Sequence, residues 1–488
     1  MATVQAERQD LLIGGSWTAA SSGRSFDNVN PFTAEVVGSA AAATAEDAAA
    51  AVDSAAAAFP AWAATSPGRR RELLAAAAQL LEQRGPELSA VMTEETGSTF
   101  GWGMFNTHLA AGMLREAAAQ AYALVGEVIP SDVPGKLAMA VRVPAGVVIG
   151  MAPWNGPIIL GTRAVATPLA YGNTVVLKAS EQCPRTHAGI AKALIDVGLP
   201  DGVVNFISHD AADAPAVVEA LIAHPASRRI NFTGSTRVGR IIAETAGRHL
   251  KPVLLELGGK APFLVLADAD LDRAVAAAKF GAFMHQGQIC MSTERIVADS
   301  TVAEDFAARL GARAEELVVG DPTDEATQIG PLVNSGSLEK IEELVADAKA
   351  KGAEVLSGGE ADGPCYRPTV LYGVTPEMRI YSEESFGPVV SVIPVADEDE
   401  AVRTANDTEY GLAAAVFSRD VPRALELAQR IESGICHIND ATIHDEPQMP
   451  FGGVKDSGWG RFGGSQAVQE FSDLRWITVQ SLARDYPI

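Results

Sequence analysis

Short apolar runs bounded by Gly and Pro alternate with long Ala-rich stretches over most of this chain, and that alternation limits the folds open to it. Stretches 44–59, 68–93, 105–124, 186–198, 269–284 and 302–317 carry the apolar period of amphipathic helices. Between them, Gly146–Met151, Thr174–Leu177, Val203–Ile207, Arg229–Phe232 and Pro262–Leu266 are continuously apolar or β-branched. That is the pattern of parallel strands covered on both faces. Strand and helix in alternation build α/β layers. A second series follows residue 290, with strands expected at Glu354–Leu356, Thr369–Tyr372, Val389–Val395 and Ala413–Phe417.

One segment departs from the pattern. Residues 126–145 read as two extended pieces around an Asp-Val-Pro-Gly turn, a hairpin projecting from the α/β body. Phe471–Val479 is extended as well. Exposed strand edges need covering, so both pieces are expected to pair across a subunit contact.

Composition narrows the function. The 488 residues hold 38 Lys+Arg against 61 Asp+Glu, a net charge of −23, with 47% hydrophobic residues. A chain this apolar buries large cores, while so acidic a balance without a basic block argues against nucleic acid and anionic membrane surfaces. The apolar stretch 147–170 is interrupted by Pro153, Asn155, Pro157 and Arg163, too broken for a membrane span. Cys183, Cys290, Cys365 and Cys436 form no CxxC pair, which speaks for neither a disulfide framework nor a metal site. The leading residues show no basic-then-apolar export pattern, so a reducing cytoplasm is the expected setting.

Five local constellations could carry chemistry. Cys290, in Gln-Gly-Gln-Ile-Cys-Met-Ser, is either a small core hydrophobe or a nucleophile in an irregular turn. Glu256, inside Leu-Leu-Glu-Leu-Gly-Gly-Lys, is either the exposed end of a strand or a buried acid of raised pKa suited to general base work. Asn155, framed by Pro153 and Pro157, offers a fixed amide that could stabilise an oxyanion, or is an ordinary turn residue. Gly234 and Ser235 stand where a strand gives way to a helix whose free N–H groups can hold phosphate. Lys178, Ser180 and Glu181 follow another strand; the Lys and Glu could grip ribose hydroxyls or be solvated charges. The Gly458-Trp-Gly-Arg-Phe-Gly463 match to a dinucleotide fingerprint lacks the required context and is read as accidental.

Taken in order, these landmarks resemble the NAD(P)-dependent aldehyde dehydrogenase superfamily from end to end. The matching stretches are Pro-Trp-Asn at 153–155, Leu-Lys-Ala-Ser-Glu at 177–181, Phe-Thr-Gly-Ser at 232–235, Leu-Glu-Leu-Gly-Gly-Lys at 255–260 and Gly-Gln-Ile-Cys at 287–290. Glu384-Ser-Phe-Gly-Pro388, Asn406–Leu412 and Pro450–Gly458 continue the series. The resemblance implies that Cys290 attacks the aldehyde carbon, that Asn155 and the Cys290 N–H hold the oxyanion, and that Glu256 activates water against the resulting thioester. It further implies NAD as cofactor, with Trp154, Lys178, Ser180, Glu181, Gly234, Ser235, Leu257, Gly258, Glu384 and Phe386 around it. Glu181 should repel a 2′-phosphate, which favours NAD over NADP.

Two departures bear on the substrate. Where many members carry an aromatic residue and then Lys, this chain has Arg163 and Ala164; where they carry Arg-Glu, it has Arg461 and Phe462. That Lys and Glu are commonly assigned to a proton path. Together with the segment Asp440–Lys455, these features resemble the subgroup acting on benzaldehyde, salicylaldehyde and vanillin. Arg163 is expected either to point into the substrate tunnel or to pair with Asp445 or Glu446. Gly156, Leu160, Ile289, Met291 and Ile443 are candidate pocket walls, as are Trp102 and Phe105.

The expected architecture is an α/β, aldehyde-dehydrogenase-like fold. A Rossmann-type NAD-binding domain would comprise 1–125 and 146–255, and a catalytic α/β domain 256–456. A small β oligomerisation element of 126–145 and 457–488 would join a homodimer or homotetramer. The rivals are an aliphatic or semialdehyde dehydrogenase and a cofactor-independent cysteine esterase.

Overall fold

A computed structural model describes residues 8–488. The leading residues 1–7, part of the expected leaderless N-terminus, lie outside the described residues. Among the described residues, the largest sheet has eight strands. Its middle is five parallel strands in the spatial order Val253–Glu256, Ser227–Thr233, Val147–Met151, Thr174–Lys178, Val204–Ile207. The central three are buried nearly end to end, which is why their sequences show apolar runs without alternation.

The strand order creates the site. From Val147–Met151 the chain winds to one side through two strands, then returns to lay the next two on the other side. Loops leaving Met151 and Thr233 therefore diverge, and a crevice opens between them at the carboxyl edge. Register brings that edge into line: Met151 pairs with Lys178 and Phe232, and Thr233 with Glu256.

Four residues, Leu257–Lys260, lead from this edge into a second sheet of seven strands. Six run parallel, in the order Thr369–Tyr372, Val389–Val395, Thr293–Asp299, Ala261–Val265, Ala413–Phe417, Ile435–Ile438. Ala261 and Thr293 are partners at its amino edge. The carboxyl edge of one sheet thus faces the amino edge of the other, with Glu256 ending the first and Cys290 lying just before Thr293.

Three expectations need correction. The stretch 68–93 is two helices, Pro67–Gln83 and Gly85–Thr96, because Pro86 lacks the N–H that a continuous helix needs. The hairpin Glu127–Ile129/Lys136–Pro144 and the strand Ser472–Gln480 pair with each other inside one chain, over a nine-residue antiparallel register. Cross-subunit pairing is not needed to make this sheet. Segment 457–488 also divides: Gly458–Trp459 adds an antiparallel edge to the large sheet at Leu255 and Glu256. The helix after it, Ala467–Glu470, is only four residues long and starts past the sixth position of the Gly-x-Gly-x-x-Gly match. No helix among the described residues is long and apolar enough to cross a membrane.

Candidate active site

Cys290, Glu256 and Asn155, up to 135 residues apart in sequence, line one cavity of about 260 Å³. Its wall also carries Trp154, Leu160, Gly234, Ser235, Leu257, Gly258, Glu384 and Phe386 from the sequence reading.

Asn155 is held from both ends. Its carbonyl accepts from the Trp102 indole N–H at 3.0 Å, and its side-chain Nδ2 donates to the Gln288 carbonyl at 3.0 Å. Trp102 is itself stacked between Phe105 and His285, at centroid distances of 5.4 and 5.0 Å. An amide fixed this way keeps a second Nδ2 proton for a ligand oxygen. Trp102 therefore supports the site from behind, and is not part of this cavity's wall.

The cysteine loop approaches so closely that two glycines are required. A Cβ on Gly259 would lie 2.4 Å from the Cys290 carbonyl oxygen. Gly287, at φ +69°, would place one 2.1 Å from the Gly387 carbonyl. His285 and Gln286 also take positive φ, 50° and 57°, in the turn that brings the chain to the cysteine.

Both reactive groups are electrostatically displaced. Glu256 is 1% exposed, and neither carboxylate oxygen has a hydrogen-bond partner among the described residues. Burial pushes its pKa up to about 7, against smaller opposing effects of the Cys290 thiol and Arg163. Burial, reinforced by the Glu256 charge, raises the Cys290 thiol well above its ordinary value. A neutral thiol beside a carboxyl group of near-neutral pKa is a base–nucleophile pair.

Glu384 is positioned by a cluster that sequence reasoning missed. Its carboxylate accepts from the Gly259 N–H at 2.8 Å, and burial followed by the Glu294 charge raises its pKa to about 7. Buried Glu294 receives Lys260 Nζ at 2.5 Å, the Ser385 hydroxyl at 2.9 Å, the Ser385 N–H at 2.9 Å and the Phe386 N–H at 3.1 Å. This clamps the loop in which Phe386, at φ 52°, meets Trp154 edge-on at 5.7 Å. The signal available in sequence was Lys260, a cation between two strands. Ser337 and Lys340, also in the wall, come from the helix Ser335–Ala350 and had no local signature.

The remaining sequence candidates lie elsewhere. Lys178, Ser180 and Glu181 stand on the same carboxyl edge but outside this cavity; burial lowers the Lys178 pKa, which Glu181 partly offsets. Ser235 caps the helix Thr236–Arg248, accepting from the Val238 N–H. Gly156 precedes the helix Pro157–Ala170, and Ile289 and Met291 are buried in the core, with Ile443 packed on the same cluster. Arg163 is 7% exposed, paired with Asp445 and lying 4.3 Å from the Phe451 ring centroid, so the second expectation for it holds. Ala164 and Phe462 are both buried, each 2% exposed.

A thiol, a base of near-neutral pKa and a fixed amide donor around one cavity suit acyl chemistry on a carbonyl carbon. The model of the aldehyde dehydrogenase family matches residues 17–477, and the chain belongs to that family. It is 58% identical over 478 residues to a vanillin dehydrogenase from a Pseudomonas species, covering 98% of this chain and 99% of that one. A crystal structure of a salicylaldehyde dehydrogenase from Pseudomonas putida, complexed with salicylaldehyde, is 45% identical with a TM-score of 0.97, over 99% of this chain and 100% of that one. A betaine aldehyde dehydrogenase from Staphylococcus aureus in complex with NAD+ is 31% identical with a TM-score of 0.95, over 98% and 96%.

Proposed function

We propose that this enzyme oxidises an aromatic aldehyde of the vanillin, salicylaldehyde or benzaldehyde type to its carboxylic acid, with NAD as cofactor. The observation that carries the reading is the convergence of Cys290, Asn155 and the unpartnered Glu256 on one cavity. Substrate class is supported by the relatives' own activities.

NAD, when bound, supplies the hydride acceptor. The donor set fits it: Ser235 at a helix start suits a diphosphate, and buried Glu384 offers an acceptor for ribose hydroxyls. Gly258 leaves Glu384 its space, since a Cβ there would sit 2.8 Å from the carboxylate. Lys178, Ser180 and Glu181 are assigned to the adenosine end, with Glu181 disfavouring a 2′-phosphate.

The chain's own groups do the rest. The Cys290 sulfur, its proton released to solvent, adds to the aldehyde carbon to give a thiohemiacetal. The Asn155 amide and the Cys290 N–H share the oxyanion. After oxidation to the thioester, Glu256 removes a proton from water as the water attacks, and the acid leaves with the thiol restored. Gly156, Leu160, Arg163, Ile289, Met291 and Ile443 are proposed to shape the space for the ring, Leu160 directly and the others from behind the wall. The domain division set out from the sequence is proposed to hold, except that Gly458–Trp459 goes with the large sheet of the cofactor domain. The sheet 127–144/472–480, with Leu474 62% and Trp476 75% exposed, is proposed to join subunits in a homodimer or homotetramer. Free thiols suit a cytoplasmic setting.

Steady-state rates with NAD over vanillin, salicylaldehyde, benzaldehyde and a short alkanal test the reading. Planar aldehydes should be turned over with one NADH per acid and a higher kcat/KM than the alkanal. Preference for the alkanal, better use of NADP, or ester hydrolysis without NADH formation would overturn it.

A further inference from the structure

Arg163 lies one turn beyond Leu160 on the helix Pro157–Ala170, so its side chain follows the cavity wall into the protein. The guanidinium is enclosed by the rings of Phe451 and Phe462, at 4.3 and 5.8 Å, and pairs with Asp445, 282 residues away. The two side chains are 7% and 9% exposed, and Asp445 Oδ1 has no hydrogen-bond partner among the described residues. With apolar Ala164 and Phe462 beside it, the counter-charge paired with Arg163 is that of Asp445. Glu116 and Glu446 border a small cavity on the outer side of Arg163, and Glu446 already accepts from His444 at 3.1 Å.

The groups acting on Glu256 are Cys290 from its loop, Arg163 from the helix, Asp445 from the segment before Phe451, and Glu384. In this setting a charge acts over longer distances than in water. Arg163 favours the ionised Glu256 and Asp445 disfavours it. Resting on the function proposed above, we propose that Asp445 is a positioning residue that neutralises Arg163, leaving Glu256 a protonatable base and not a carboxylate held ionised by an unpaired cation. Burial fixes the main part of the Glu256 shift, and the charge balance behind the wall adjusts the pH at which the enzyme can empty its thioester.

The test compares Asp445→Asn, Arg163→Gln and the double variant in two pH profiles. One is kcat for vanillin with NAD; the other is the rate of Cys290 alkylation by iodoacetamide, which needs neither cofactor nor turnover. Asp445→Asn leaves Arg163 unpaired and should move both midpoints toward acid by about half a unit or more. Arg163→Gln alone should not move them acidward, and the double variant should return both close to wild type. A structural role alone would lower rates without this reversal. Unmoved midpoints in Asp445→Asn, or an acid shift surviving in the double variant, would overturn the proposal. If alkylation follows the pattern while no NADH forms, the charge balance stands and the dehydrogenase reading fails.

Discussion

Glu256 and Glu294 are buried carboxylates of opposite design. Glu294 is saturated by a lysine, a hydroxyl and two backbone N–H groups. Glu256, equally buried, has no hydrogen-bond partner among the described residues. Burying a polar group without partners costs free energy, so a saturated acid speaks for structure and an unsaturated one for chemistry held in reserve. The separation Lys260–Glu294 equals that of Glu256–Cys290, 34 residues, because both span the same strand–helix–strand crossover. One crossover therefore supplies the frame and the reactive pair.

The contrast can be broken at either side. The largest expected effect is Glu294→Ala, which strands Lys260 and frees the Glu384 loop; urea unfolding should show a loss of about 3–5 kcal/mol. A stability change near zero would make Glu294 dispensable to the frame. Asn155→Ala removes the fixed amide, and kcat should drop by about 10²–10³-fold with little change in unfolding midpoint.

Glu256→Gln should do the reverse of Glu294→Ala. Because the folded-state value of about 7 lies above the ordinary 4.5, the native state binds the extra proton between those values. The stability contributed is full below pH 4.5 and lost as pH rises through 7. The amide variant escapes that loss, so at pH 9 it should be more stable than the parent by roughly 3 kcal/mol, with the gap closing toward pH 5. Equal stability at both pH values would mean that Glu256 is not strained by burial. The smallest effect is Trp102→Phe, which keeps the ring stack but drops one hydrogen bond to Asn155. About 1 kcal/mol should be lost, visible as a several-fold lower kcat.

Much of this was readable from the chain alone, for physical reasons. Thr369–Tyr372, Val389–Val395 and Ala413–Phe417 fall where expected, since strands buried on both faces show apolar runs. Glu256 and Asn155 stood out because a polar residue inside an apolar run needs a reason to be there. Features that depend on distant partners were not readable. Nothing local shows that Glu294 takes Lys260, that Trp102 anchors Asn155, or that Lys136–Pro144 pairs with Ser472–Gln480. The break before Gly85–Pro86 was visible and should have divided the long helix. Whether Arg163 pairs with an acid was open in sequence, because its partner Asp445 is 282 residues away.

The central claim is that Glu256 empties a thioester made on Cys290. Rapid mixing of Glu256→Gln with NAD and vanillin, followed by intact-mass analysis, tests it directly. One equivalent of NADH should form in a burst, with the aromatic acyl group retained on Cys290 and steady turnover nearly abolished. A variant that turns over at the parental rate, or that stalls with no acyl group on the cysteine, would contradict the account.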